Sequence, residues 1–185
     1  MKLIMYGGSF DPIHIGHQCL ANTVAKMFDA RVVVVPAFAN VFKEATNNAA
    51  IRLEMVRAAF AGNRLISVND YEIRKEGPSY TIDTIKHLMS VNWCSEKMGL
   101  LIGDDIAGEL PRWKNFEKIL ERCNVIIAVR NGMPSPIDYP AIVIDNDVVS
   151  ISSSMIRGRI KSNGPWEYLV PSEVRAIIKE KGLYL

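Results

Sequence analysis

Short runs of β-branched and aliphatic residues alternate along this chain with stretches in which apolar residues recur at helical spacing. The apolar runs predict buried strands at Leu3–Tyr6, Val32–Val35, Leu65–Val68, Gly99–Ile102, Asn124–Val129 and Ile142–Ile144. The helical spacing predicts helices over His17–Phe28, Ile51–Phe60, Tyr80–Met89, Phe116–Leu120, Ser153–Ile160 and Pro171–Lys181. Parallel strands need a crossover connection, which is usually a helix. The alternation therefore predicts an α/β fold with a parallel sheet covered by helices on both faces.

The composition restricts the class of protein further. A chain of 185 residues can bury one core, so we expect a single domain over residues 1–185. A hydrophobic content of 49% excludes a disordered chain, and a net charge of +2 predicts neither a nucleic-acid nor a membrane partner. The longest apolar run, Val32 to Ala39, is interrupted by Pro36 and is too short to span a bilayer. The scattered cysteines form no CxxC pair, so we expect no zinc site and a reducing, cytoplasmic setting.

The turn from Gly7 to His17, between the first predicted strand and helix, has the composition of a phosphate site. Ligands of open parallel sheets bind beyond the carboxyl ends of the strands. Gly7 and Gly8 let the backbone approach a ligand closely, and the helix that follows points its N-terminus at the same space. His14 and His17 share one helix face and can donate to phosphate oxygens. The alternatives are a plain connecting turn or, because no third ligand is near, a weak metal pair.

The turn lacks the GxGxxG fingerprint of dinucleotide folds and the GxxxxGK[ST] loop of P-loop proteins, which argues against a dehydrogenase.

A second polar cluster, Ile151 to Arg157, opens a late helix. Its serines can cap exposed N–H groups, and Arg157 offers a planar fork of donors for phosphate. By itself this segment is better explained as an ordinary helix start with a serine N-cap and a solvated arginine.

Two further segments are suited to a second substrate. Gly77 to Thr84 opens a helix whose free N–H groups, with the Thr81 hydroxyl, can bind a carboxylate. Asp105 follows a predicted strand and can accept from ribose hydroxyls, while Trp113 can stack on a flat heteroaromatic ring. The alternatives are a capped helix start and a tryptophan that anchors the core. Arg52 is either a surface residue or one that faces the substrate.

The two phosphate segments resemble signatures of the nucleotidylyltransferase superfamily. Gly8 to Pro12, followed by His14-Ile15-Gly16-His17, resembles its H-x-G-H motif, and Ile151 to Arg157 resembles I-S-S-T-x-I-R with Ser154 in place of Thr. The resemblance implies a Rossmann-like, doubly wound sheet and nucleotidyl transfer with loss of pyrophosphate. It implies catalytic roles for His14, His17 and Arg157. It also implies ATP contacts at Gly8, Ser9, Phe10, Lys43, Gly103, Asp105, Ser152 and Ser153.

The acceptor segments, G-P-S-Y-T-I-D-T at positions 77–84 and G-D-D with a following L-P-R-W, resemble nicotinate mononucleotide adenylyltransferases. This implies attack of the mononucleotide phosphate on the α-phosphorus of ATP, giving deamido-NAD, with Mg²⁺ carried by the ATP phosphates and no protein metal site. Trp113 would stack on the pyridine ring, and Tyr80 and Thr81 would meet its carboxylate. The pattern departs at Phe42, where the family usually has His, although Lys43 is kept.

Several alternatives stay open at this point. Nicotinamide mononucleotide differs from nicotinate mononucleotide only by an amide in place of the carboxylate. Phosphopantetheine is the acceptor of a sister activity that shares both phosphate segments. A nucleotide-binding module without catalysis is a further alternative, although intact His14, His17 and Arg157 argue against it. A homo-oligomer is compatible with the sequence, which does not fix the oligomeric state.

Overall fold

The computed structural model describes residues 1–39, 47–92, 95–129, 136–146 and 151–185. Its strands form one six-stranded sheet in which every neighbouring pair is parallel. The strands are β1 (Leu3–Gly8), β2 (Arg31–Pro36), β3 (Ile66–Val68), β4 (Met98–Gly103), β5 (Cys123–Val129) and β6 (Ala141–Asp145), arranged in the order β3-β2-β1-β4-β5-β6. This is the strand order of doubly wound nucleotide-binding sheets.

Most helices lie between consecutive strands, as the alternation in the sequence predicts, and the last two follow the final strand. The helices are α1 (Ile15–Met27), α2 (Ala49–Ala59), α3 (Tyr71–Lys75), α4 (Thr81–Val91), α5 (Asp104–Ala107), α6 (Phe116–Arg122), α7 (Ser153–Lys161) and α8 (Ser172–Glu180). Short 3₁₀ turns occupy Leu110–Arg112 and Glu167–Leu169. No helix within the described ranges is long and apolar enough to cross a membrane.

Each face of the sheet is buried under its own set of helices. Alternate residues of a strand point to opposite faces, so Ile4 and Tyr6 belong to one core cluster and Leu3 and Met5 to the other. The first cluster is completed by apolar residues of α1, α2, α7 and α8, and the second by residues of α4, α5 and α6. Burial on both faces explains why the strands are continuous apolar runs without polar alternation.

The strand order reverses between β1 and β4. From β1 the chain winds outward through β2 to β3, and it then crosses back to β4 on the other side of β1. The loops that leave β1 and β4 therefore diverge and open a crevice at the carboxyl ends of these two strands. Gly8 ends β1 and Gly103 ends β4, so both of these predicted ATP contacts border this crevice.

The predicted α/β fold and each predicted strand and helix are confirmed, with ends displaced by a few residues. The sequence gives no signal for α3 and α5, which are only 5 and 4 residues long. A helix shorter than two turns cannot display an apolar period. Both short helices border the site.

Candidate active site at the carboxyl ends of β1 and β4

A cavity of about 670 Å³ lies at the crevice between β1 and β4. Its volume is that of a typical small-ligand site. It brings together five of the predicted site residues from four parts of the chain, namely Gly8, Tyr80, Thr81, Asp105 and Trp113. Positive charge from Arg112 and Lys114 and negative charge from Glu72 and Glu109 complete the polar part of its wall. The fold therefore joins the first glycine turn to the predicted acceptor segments.

The loop from Ser9 to Pro12 is held from outside by side chains of two distant helices. Its carbonyl oxygens accept hydrogen bonds from Arg52 Nη1 at Ser9 (2.6 Å), from Arg157 Nη1 at Asp11 (2.8 Å) and from Ser153 Oγ at Pro12 (2.9 Å). In a trans peptide the carbonyl and the next N–H point in opposite directions. The outward carbonyl of Ser9 thus directs the N–H of the next residue to the other side of the loop.

Close packing against Phe10 favours glycine at position 8, the residue that precedes this loop. A Cβ atom at this position would lie 3.0 Å from the tip of the Phe10 ring. That ring also meets His17 edge-on, with ring centroids 5.1 Å apart. Gly8 and Phe10 are predicted to contact ATP. In the structure, Gly8 leaves room for the Phe10 ring, and that ring packs against His17.

The two histidines form a stacked pair at the start of α1. Their ring centroids are 3.6 Å apart, and the backbone N–H of His14 donates to Nδ1 of His17 at 3.3 Å. Because Nδ1 accepts this bond, the proton of a neutral His17 is on Nε2. His14 is buried and His17 is half-buried. Neither lines the cavity described above, so the pair belongs to the loop side of the site.

The second signature sits at the N-terminus of α7. Ser152 caps the helix, since its Oγ accepts from the backbone N–H of Met155 at 3.2 Å. Ser153 and Arg157 bind the first loop as described, and Arg157 also donates to Ser154 at 3.3 Å. The sequence predicts phosphate contacts for Ser153 and Arg157. In the structure, their hydrogen bonds connect the two signature segments, with partners 141 and 146 positions away in the sequence.

Arg52 of α2 is a structural residue at the site, and the structure contradicts a surface position for it. Its side chain is 1% exposed and donates to the carbonyls of Ser9, of Asn47 at 3.1 Å and of Phe38 at 2.9 Å. Burial lowers the pKa of the guanidinium, and the nearby Asp11 opposes that shift. Its spacing from Met55 and Val56 puts it on the apolar face of α2, a signal in the sequence that could have revealed its burial.

The start of α4 forms a further part of the cavity wall. Tyr80 precedes the first helical residue in an extended conformation, and its carbonyl accepts from Asp83 N at 2.9 Å. The first N–H groups of a helix have no partner within it. Lys114 Nζ lies 4.1 Å from the centroid of the Tyr80 ring. Helix N–H groups and a neighbouring cation together favour an anionic ligand at this position.

Trp113 follows the 3₁₀ turn after α5 and lines the cavity with part of its side chain. It is half-buried and packs against the second core cluster. Its indole Nε1 is buried and finds no hydrogen-bond partner among the residues that the structure describes. Trp113 thus lines the cavity and also packs against the core. Its position is compatible with both alternatives from the sequence, a stacking residue and a core anchor.

Glu72 of α3 is a buried carboxyl group in the cavity wall that sequence reasoning missed. It accepts from the Thr84 hydroxyl of α4 at 2.6 Å. Burial raises the pKa of Glu72, while hydrogen bonds from Ser79 and Thr84 and the charge of Lys75 lower it to a smaller extent. The sequence carries no signal for this residue, because α3 is too short to be recognised.

The remaining predicted residues lie as follows. Gly103 is the N-cap of α5, and Asp105 is the second residue of that helix. Lys43 and Phe42 lie outside the described residues. Within the described ranges, no group of three His, Cys, Asp or Glu side chains is arranged to hold a metal ion.

Comparison with known proteins agrees with this architecture. The model of the cytidylyltransferase-like family matches residues 5–159. The nicotinate-nucleotide adenylyltransferase of Bacillus subtilis (strain 168) is 32% identical over 188 residues, which cover 99% of this chain and 98% of the relative. A protein of Bacillus licheniformis described as a probable nicotinate-nucleotide adenylyltransferase is 32% identical over the same shares.

A solved structure extends the likeness to the fold. The nicotinic acid mononucleotide adenylyltransferase of Plasmodium falciparum, complexed with NaAD, superposes with a TM-score of 0.80 at 21% identity and covers 100% of this chain and 98% of that one. The Rossmann-like fold is thereby confirmed. The family match over most of the sequence and the full-length relatives lead to one conclusion: the chain belongs to the cytidylyltransferase-like family, among the nicotinate-nucleotide adenylyltransferases.

Proposed function

We propose that this protein transfers AMP from ATP to nicotinate mononucleotide, forming deamido-NAD and pyrophosphate. The observation that carries the proposal is the cavity between β1 and β4, which joins the glycine turn to the N-terminus of α4 and to Trp113. The full-length relatives are nicotinate-nucleotide adenylyltransferases, and the Plasmodium falciparum protein binds NaAD. A cytoplasmic location, where ATP and reduced thiols are available, is part of the proposal.

The reaction is a direct displacement at the α-phosphorus of ATP. A phosphate oxygen of the mononucleotide forms the new P–O bond, and the bond to the leaving pyrophosphate breaks. Such a step depends on positioning and on stabilising the charge of the transferring group. His17 supplies an Nε2–H donor whose orientation is fixed by the bond from His14 N to Nδ1. Together with His14 and Arg157 it stabilises negative charge on the phosphate oxygens.

The ATP subsite extends from the first turn to α5 and α7. Backbone groups of Gly8, Ser9 and Phe10, together with Ser152 and Ser153 at the start of α7, bind the phosphates. Lys43, which lies outside the described residues, is a further candidate phosphate contact. Gly103 and Asp105 meet the ribose or adenosine. Mg²⁺ would arrive bound to ATP and would neutralise charge on the phosphates, so it would need few carboxylate ligands from the protein.

The proposed mononucleotide subsite consists of the start of α4 and Trp113, which line the same cavity. Thr81 and the first N–H groups of α4 bind the carboxylate of the pyridine ring, and Tyr80 borders it. Trp113 stacks on the ring. Lys114, whose Nζ lies 4.1 Å from the centroid of the Tyr80 ring at the start of α4, favours an anionic acceptor over its amide analogue. A flat aromatic wall also favours a pyridine nucleotide over phosphopantetheine, which has no aromatic ring.

The test is pyrophosphate release from ATP and Mg²⁺ with each of three acceptors under the same conditions. We expect the highest kcat/KM with nicotinate mononucleotide, a lower value with nicotinamide mononucleotide, and no release above background with phosphopantetheine. A preference for either of the other acceptors would contradict the assignment of the α4 subsite. ATP binding without release with any acceptor would instead identify a nucleotide-binding module without this activity.

A further inference from the structure

The turn after α8 carries Tyr184 into contact with the loop that precedes the histidine pair. We propose that Tyr184 is a positioning residue, whose hydroxyl holds the Asp11 carboxylate and thereby fixes His14 and His17 for adenylyl transfer. The inference rests on the proposed function, because it concerns the rate of that reaction. Tyr184 is distant from the other site residues in sequence, and its hydrogen bond to Asp11 spans 173 positions.

The local sequence explains how the side chain reaches this position. At the end of α8 the N–H of Leu183 donates to the carbonyl of Ile178 at 3.0 Å, and that of Gly182 donates to Lys179 at 3.3 Å. These two bonds and the positive φ of Gly182, 57°, form a Schellman turn. Leu183 and Ile178 are both buried in the first core cluster. The turn reverses the chain, and Tyr184 then lies on the core beneath the loop.

The contact between Tyr184 and Asp11 is buried and directional. The hydroxyl donates to Asp11 Oδ1 at 2.7 Å, and the two residues are 9% and 4% exposed. Burial, the hydrogen bond to Asp11 and the charge of that carboxylate all raise the pKa of Tyr184, so the hydroxyl remains a donor. Asn47 also donates two hydrogen bonds to this carboxylate, from its side-chain Nδ2 to Asp11 Oδ1 at 3.2 Å and from its backbone N–H to Oδ2 at 3.4 Å.

The loop links this contact to the histidines. Asp11 lies three residues before His14, and its own carbonyl is held by Arg157. The backbone of Asp11 is thus fixed from α7, while its side chain is fixed by Tyr184 and Asn47. Removing the phenol hydroxyl leaves a buried carboxylate with one hydrogen bond fewer, which favours a rearrangement of the loop. Because phosphoryl transfer depends on sub-ångström placement of its donors, we expect such a rearrangement to slow turnover.

The experiment uses Tyr184→Phe, which removes the hydroxyl and keeps the ring. The control is Tyr168→Phe in the preceding turn, where the side chain is 63% exposed and bonds to Arg159. For both variants and the wild type we would measure kcat and both KM values, and record the Cε1–H resonances of the histidines without substrate. The chain has only three histidines. The third, His87 of α4, stacks on Tyr71 of α3 and serves as an internal reference.

We expect Tyr184→Phe to lower kcat about tenfold with both KM values within about twofold of the wild type. The His14 and His17 resonances should move while that of His87 does not, and Tyr168→Phe should match the wild type in every respect. An unchanged kcat, or unmoved His14 and His17 resonances, would overturn the inference. The resonances need no turnover, so they test the contact even if the wild type releases no pyrophosphate and the proposed function fails.

Discussion

Arg52 offers the most direct test of how the loop from Ser9 to Pro12 is held. The substitution Arg52→Met keeps most of the side-chain volume and removes every donor. The carbonyls of Ser9, Phe38 and Asn47 then lose their partner at a position that is 1% exposed. Each buried acceptor left without a hydrogen bond costs about 1–3 kcal/mol.

Taking about 1 kcal/mol for each of the three carbonyls, we expect Arg52→Met to lower the free energy of unfolding by about 3 kcal/mol. The lower end of the range is appropriate because the substitution also removes a buried charge, whose desolvation opposes folding. We expect kcat to fall as well, since the Ser9 carbonyl belongs to the loop that carries the histidines.

Arg57 on the same helix provides the matched control. It is exposed and pairs with Asp70 at 2.9 Å, and a surface ion pair contributes about 0–1 kcal/mol. Urea unfolding followed by circular dichroism would compare Arg52→Met with Arg57→Met. If the two variants had the same unfolding midpoint, the three carbonyl bonds would contribute little, and the reasoning about the loop would be refuted.

Three further predictions concern the site. His17→Ala should lower kcat about 10²–10³-fold, the usual cost of losing one preorganised donor, with little change in Tm; His87→Ala should leave kcat unchanged, and normal turnover of His17→Ala would contradict the catalytic role. Trp113→Ala should raise KM for the mononucleotide about tenfold, as expected for a lost stacking contact, and more than it raises KM for ATP; equal effects would identify a purely structural tryptophan. Burial raises the pKa of Glu72 above its usual 4.5, so the folded state binds this proton more tightly, and the free energy of unfolding should fall as pH rises from 4.5 through the folded-state pKa. Glu72→Gln should remove that slope in urea titrations at several pH values, and an unchanged slope would assign it to other groups.

The sequence determines the elements and their class, because local periodicity is a property of neighbouring residues. The apolar runs that become β1, β2, β4 and β5 follow from burial on both faces of a parallel sheet. The glycine turn, the His14–His17 spacing and the start of α4 are likewise local patterns. They are therefore recognisable before any strand has found its neighbour.

Only the tertiary structure decides which of these segments meet. The strand order determines that the loops after β1 and β4 diverge around one crevice, so that Gly8 and Trp113 line the same cavity. The supports of the loop are all distant in sequence: 43 positions separate Arg52 from Ser9, 146 separate Arg157 from Asp11, and 173 separate Tyr184 from Asp11. A hydrogen bond between such residues depends on the packing of whole helices on the sheet. No stretch of neighbouring residues contains such a bond. The sequence therefore predicts the candidate site residues, while only the fold shows which distant side chains hold their loop in place.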